Sequence, residues 1–141
     1  MTPKEIGAIG EKIAIDYLKK KNYKILQTNY SKVWANSLGK GEIDIIAQPK
    51  RSFFDFLFRK KETIHFIEVK TSFSDKDLFF SPEQRVNYKK QKQLIRLSQI
   101  WLSENKIPLD SKWQIDIISV LINPHSKNNP KIHHFENIVE I

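Results

Sequence analysis

GEIDIIAQ (41–48) and TIHFIEVKT (63–71) decide how this chain is read. Both are short runs rich in Ile, Val, Phe and Thr, the residue types that fit a pleated, covered surface, so each is expected to be a strand. Successive side chains of a strand point to opposite faces. In 63–71, Ile64, Phe66, Glu68 and Lys70 share one face and His65, Ile67, Val69 and Thr71 the other. Both faces are largely apolar, as in a strand covered on both sides. Glu68 and Lys70 therefore stand on a core face, where charged groups are rarely buried unless paired or holding a metal. In 41–48, alternation places Ile43 and Ile45 on one side and Glu42, Asp44 and Ile46 on the other. Asp is depleted in strands, so Asp44 inside an Ile run needs a reason. Pairing of the two runs as a hairpin would bring Asp44 and Glu68 to one rim, where two carboxylates repel unless a cation or a shared proton lies between them.

Two explanations stay open at this point. One is a structural Glu68–Lys70 ion pair with Asp44 at a strand end. The other is a site in which Asp44 and Glu68 hold a hard divalent cation such as Mg²⁺, which takes oxygen ligands and keeps waters for phosphate groups. Lys70 beside it would orient a water or stabilise charge on a phosphoryl transition state.

Outward from the hairpin, Thr2, Pro3 and Glu5 spell a helix start: an N-cap, Pro at the first helical position and the acid of a capping box. Ile6, Ile9, Ile13, Ala14, Tyr17 and Leu18 then recur at helical spacing up to the Lys19-Lys20-Lys21-Asn22 stop. YKILQTNY (23–30) reads as a strand and 31–41 as a loop or ragged strand end with Gly39 and Gly41 as breakers. PKRSFFDFLFRKKE (49–62) is an aromatic and basic insert. It is expected either as a hairpin tip or short helix tucked against the domain, or as a partner-facing or membrane-facing apolar patch flanked by cations. Ser81-Pro82-Glu83-Gln84 repeats the capping device and predicts a second long helix to about Asn105, with Val86, Leu94, Leu97 and Trp101 on one face. WQIDIISVLI (113–122) reads as a buried strand and KIHHFENI (131–138) as a final edge strand. The order α-β-β-β-α-β(-β) predicts a single α/β domain over 1–141, with a mixed central sheet flanked by helices.

Twenty-four Lys+Arg against sixteen Asp+Glu leave a net charge of +8, which suits a polyanionic partner such as nucleic acid. There are no cysteines, which excludes disulfides, thiolate metal sites and cysteine nucleophiles. No apolar run approaches the ~18 residues of a membrane span and the first residues lack the order of a signal peptide, so a cytoplasmic protein is expected.

Gly10-Glu11, Tyr23 with Ile25-Leu26, Asn29-Tyr30, Gly41 to Ala47, Phe66 to Thr71 and Ile115 to Ile118 follow in an order that resembles the YraN family of small, uncharacterised bacterial proteins. That family is placed by fold in the PD-(D/E)XK nuclease superfamily, similar to archaeal Holliday-junction resolvases. The resemblance, over about residues 5 to 138, implies a restriction-endonuclease-like α-β-β-β-α-β core. It implies Asp44 and Glu68 as metal ligands, Lys70 as the catalytic lysine and Glu11 as the acid completing the site. Mg²⁺ is the cofactor implied, with Mn²⁺ as a substitute. Lys90 matches a K-Q pair on the second long helix, and Lys40, Arg85, Lys90 and Lys92 are the cations expected to meet phosphates.

The activity implied is that of a metal-dependent endodeoxyribonuclease acting on DNA, branched DNA included. The alternative is a catalytically silent nuclease-fold module that binds nucleic acid or a ribonucleoprotein partner. Related resolvases act as symmetric pairs, so the same analogy implies a homodimer. The chain departs from the family pattern in its longer 49–62 insert, in Asn22 where glycine often follows the first helix, and in Ser31 where an arginine often follows Asn-Tyr. Asp116 is expected to be a structural hydrogen-bonding group, and His65, His133 and His134 to pack or face solvent.

Overall fold

The structure, a computed structural model, describes residues 1–33, 40–74, 86–126 and 128–139. The elements run α1 (Pro3–Lys20), β1 (Tyr23–Val33), β2 (Lys40–Pro49), α2 (Phe53–Leu57), β3 (Ile64–Phe73), α3 (Tyr88–Glu104), β4 (Trp113–Ile122) and β5 (Lys131–Phe135). The strands form one sheet in the order β1-β2-β3-β4-β5. Among the described residues only the β3–β4 pairing is parallel; β1–β2, β2–β3 and β4–β5 are antiparallel. This is the expected mixed α/β architecture, compatible with a restriction-endonuclease-like core. The crossover between the parallel strands carries α3, as a parallel connection requires.

Each face of the sheet carries its own core. Under α3 lie Phe66, Ile115, Ile117, Ile43 and Ile46, packed against Leu94, Leu97, Trp101 and Leu102. Trp101 meets Phe66 edge to face with ring centroids 5.6 Å apart, and its indole N–H donates to Gln27 Oε1 at 2.8 Å. Under α1 lie Ile45, Ala47, Ile67, Ile118 and Val120, packed against Ala14 and Leu18. Burial of β3 on both sides follows directly from its doubly apolar sequence.

The local signals at α1 hold. Thr2 caps the helix, accepting from the Glu5 N–H, while Glu5 accepts from the Thr2 N–H. Asn22 ends the run at φ 68°, the left-handed region that glycine or asparagine enters most readily, which accounts for asparagine at this position. Ile9, expected on the apolar stripe, is instead 40% exposed, because the buried line is Gly10, Ala14 and Leu18. Gly10 is where α1 touches the sheet. A Cβ at this position would lie 1.7 Å from Thr71 Oγ1 and 2.7 Å from Thr71 Cβ.

Two expectations need correction. The second long helix starts at Tyr88, with the Asn87 side chain accepting from the Lys90 N–H as its cap. Val86 is buried but precedes the helix, and the Ser81–Gln84 box and Arg85 lie outside the described residues. The 49–62 insert does contain a short helix, α2, closed by a Ser52–Asp55 capping box, but it is not tucked against the domain: none of its residues is buried.

The Gly10 contact generates a stability prediction. Gly10→Ala should lower the unfolding free energy by about 1–3 kcal/mol, read as a lower midpoint in urea denaturation. A midpoint equal to that of the parent chain would mean that α1 does not pack this closely on β3.

Candidate metal centre

The hairpin register sets the site. Ile45 pairs with Ile67, Ile46 with Phe66 and Ala47 with His65. The next opposed residues in that register are Asp44 and Glu68, and here the backbone ladder between the two strands ends among the described residues. Asp44 Oδ2 takes the Val69 N–H instead, at 2.7 Å. A side-chain carboxyl thus replaces a strand carbonyl as acceptor and holds the two strands together where they part.

The simple alternation expected for 41–48 breaks at the same residue. Ile43 belongs to the core under α3, Ile45 to that under α1, and Ile46 again to the α3 side. Across in β1, Tyr30 pairs with Ile43 and Thr28 with Ile45, leaving Asn29 beside Asp44. Asn29 has φ 51°, which reverses the local pleat, and asparagine is among the few residues that tolerate it. Its Nδ2 donates to Glu11 Oε2 at 3.1 Å and to Glu42 Oε1 at 2.9 Å. One amide therefore fixes two carboxylates from different elements.

Glu11, Glu42 and Asp44 each present a carboxylate oxygen such that all three atoms lie within 4.8 Å of one another. Glu68 stands next to this group and is 6% exposed. Its Oε1 lies 3.4 Å from Lys70 Nζ and 3.8 Å from Lys90 Nζ, and its Oε2 is buried with no hydrogen-bond partner. Burial first, then the negative charge of Glu68 and to a lesser degree of Glu11 and Glu42, together push the Asp44 carboxyl up to about 8, against the Val69 N–H, which works in the other direction.

The structure places Glu11, Asp44, Glu68, Lys70 and Lys90 in one neighbourhood, together with Asn29 and Glu42. Lys92 does not reach it; its ammonium sits 4.5 Å from the centroid of the Tyr88 ring. Lys40 opens β2, and Arg85 lies outside the described residues. Glu42 had a visible signal, since it alternates with Asp44 in the same run. Asn29 had a weaker one, an amide within a strand where asparagine is depleted.

These donors fit a hard divalent cation. Carboxylate oxygens are its preferred ligands, and the partnerless Glu68 Oε2 is a buried polar atom that bound metal or its water would satisfy. Crowding of acids around Asp44 is relieved by the same charge.

A second group, His65, Asp116, His134 and Glu136, also has donor atoms within 4.8 Å. Here Asp116 is already saturated. Its Oδ2 accepts from His65 Nδ1 at 2.5 Å and His134 Nε2 at 2.8 Å, and its Oδ1 from Gln114 Nε2 and the Asn137 N–H at 2.9 Å each. Burial works against the charged form, but the hydrogen bonds from His134, His65 and Asn137 outweigh it and hold this carboxyl well below the usual range. Asp116 thus ties β3, β4, β5 and the segment after β5 together, the structural role expected of it.

Two predictions come from this geometry. The raised Asp44 value means that the folded state holds its proton more tightly than the unfolded chain does. Its contribution to stability is therefore full below the ordinary carboxylate value near 3.8 and is lost as pH rises through about 8. In EDTA, Asp44→Asn should flatten the decline of melting temperature between pH 5 and pH 9 and be more stable than the parent at pH 9; identical pH profiles would contradict the half-buried, acid-crowded Asp44. Asn29→Val should destabilise by about 1–2 kcal/mol through the left-handed backbone. Asn29→Gly should keep the fold, seen in its denaturation midpoint, while releasing Glu11 and Glu42. Equal effects of the two changes would remove the backbone explanation.

Residues 10–120 match the family described as uncharacterised protein family UPF0102. Among curated relatives, the UPF0102 protein of Alkaliphilus oremlandii is 41% identical over 136 residues, covering 95% of this chain and 97% of the relative. That of Caldanaerobacter subterraneus is 34% identical, covering 95% and 93%. A Clostridium botulinum relative is 33% identical, covering 89% and 86%. The chain belongs to this family.

Proposed function

We propose that this member of uncharacterised protein family UPF0102 is a divalent-metal-dependent endonuclease that hydrolyses DNA phosphodiesters, branched DNA among them. One observation carries the conclusion: Asp44, Glu11 and Glu42 converge where β2 and β3 part, with the partnerless Glu68 oxygen and the Lys70 ammonium beside them. A purely structural ion pair accounts for Glu68 and Lys70, but not for three further acids, Glu11, Glu42 and Asp44, whose carboxylate oxygens lie within 4.8 Å of one another.

Asp44 and Glu68 would hold the cation, and Glu11 would complete its ligand set. When bound, Mg²⁺ supplies Lewis acidity at a phosphate oxygen and neutralises charge that develops there. Lys70, about one-third exposed at its side chain, is accessible enough to donate to an attacking water or a non-bridging phosphate oxygen. Lys90, on the first turn of α3, places a second ammonium on the same side of Glu68 and suits a flanking phosphate. Asn29 would act as a positioning residue, orienting Glu11 and Glu42 through its amide. The net charge of +8 supports affinity for a polyanion, with the strong salt dependence that phosphate contacts bring.

The test is a panel of branched, single-stranded and duplex DNAs incubated with the pure protein in Mg²⁺, Mn²⁺ or EDTA. Cleavage is expected with the ions and not with EDTA. Asp44→Ala, Glu68→Ala and Lys70→Ala should each lower it by about a hundredfold or more, with most DNA binding retained. Cleavage that survives all three substitutions, or that proceeds equally in EDTA, would remove the assignment.

A further inference from the structure

The hairpin tip is the one apolar surface of the described residues that nothing in the fold explains. Phe53, Phe54, Phe56, Leu57 and Phe58 are 72%, 70%, 67%, 55% and 78% exposed, although five such side chains in six consecutive positions would ordinarily make a core. Together they expose on the order of 600 Å², the upper end of what a soluble monomer leaves uncovered. The tip is nevertheless well formed. The Ser52–Asp55 capping box starts α2, and Arg51 Nη2 donates to the Lys60 carbonyl at 2.9 Å, closing the base of the turn. It is a built protrusion, organised before anything covers it.

What covers it is indicated by its shape and its surroundings. A helix that docks in a protein groove presents a stripe at i, i+3, i+4 and leaves its other side polar. α2 has no such polar side: its single acid, Asp55, is spent on the capping box, and apolar side chains project from every other position of the turn. An all-round apolar turn suits a medium that is apolar all round. Around its base the chain is cationic, with Lys50, Arg51, Arg59, Lys60 and Lys61 flanking the turn. Arg51, Lys61, Lys106 and Lys112 line one crevice of about 330 Å³ there, against a single acid, Glu62. An apolar tip ringed by cations complements an anionic lipid surface: rings among the acyl chains, ammonium and guanidinium groups among the headgroup phosphates.

We infer that the β2–β3 tip is a membrane-docking element that inserts its phenylalanines into bilayers carrying anionic headgroups. Docking is peripheral, since no described helix is long and apolar enough to cross a membrane. The acidic site lies roughly 16 Å down the strands from the base of the tip, so a docked molecule keeps that site clear of the lipid. The inference stands independently of the chemistry at that site.

Co-flotation of the full chain with phosphatidylcholine vesicles, with and without phosphatidylglycerol, tests it at about 0.1 M and about 0.5 M salt. The parent chain should bind the anionic vesicles and hold on partly at high salt. Phe53→Ser/Phe56→Ser/Phe58→Ser, at exposed positions that leave the core untouched, should weaken binding by on the order of tenfold or more. Lys61→Gln/Lys106→Gln/Lys112→Gln should weaken it at low salt. The indole introduced by Phe56→Trp should shift its emission to the blue on vesicles and be quenched by lipids brominated on the acyl chain. Equal binding by the parent and the triple serine variant would reduce the interaction to adsorption of a basic protein and overturn the inference. An indole that bromolipids do not quench would do the same. So would a parent that ignores vesicles but forms a dimer that the serine variant loses, which would assign the tip to a second copy.

Discussion

A carboxyl that takes a backbone N–H where two strands separate is the contact on which the site depends. Asp44 accepts from Val69 at the point where β2 leaves β3. Without that substitution for a strand carbonyl, Val69 would lose its acceptor in a half-buried setting, an arrangement folded proteins avoid. The separation makes room for acids between the strands, and two other features exploit it. Asn29, in the left-handed region, turns β1 so that its amide faces Glu11 and Glu42. Gly10 lets α1 lie directly on Thr71, which brings Glu11 over the same gap.

The electrostatics follow from this placement. A chain with eight excess positive charges concentrates Glu11, Glu42, Asp44 and Glu68 in one place, and the burial of Asp44 makes the crowding costly in the absence of a cation. Lys70 and Lys90 offset part of that charge but both address Glu68; among the described residues Asp44 has the Val69 N–H. Such an arrangement is poor as a structural device, where burial favours a single well-paired acid. Asp116 shows that alternative within the same protein: one buried carboxylate, four donors, nothing left unsatisfied.

Much of the fold was legible because its signals are local. The capping box at Thr2, the apolar runs of β2, β3 and β4, and the breakers between them depend on neighbours in sequence, and the hairpin placed Asp44 opposite Glu68. What escaped depends on contacts between distant segments. Alternation in β2 fails at Asp44, opposite the left-handed backbone of Asn29 on another strand, so counting residues along β2 alone gave Ile43 and Ile45 a shared face that they do not have. The start of α3 at Tyr88, capped by Asn87, was not foreseen, because the Ser81–Gln84 signal drew attention to a stretch outside the described residues. Glu42 shared a run with Asp44, yet its place beside Glu11 requires the fold of α1. The apolar tip was visible as composition, whereas its exposure is a tertiary fact: whether a Phe-rich turn finds a core depends on what lies beneath it.

The central claim is that the acids around Asp44 form a metal site, and calorimetric titration of Mn²⁺ into the metal-free protein tests it most directly. The account predicts binding of one ion to the parent chain, weakened by about tenfold or more in Asp44→Asn and in Glu68→Gln, with both variants retaining the parent's circular dichroism. Absence of binding to the parent chain, or equal affinity in all three proteins, would contradict it.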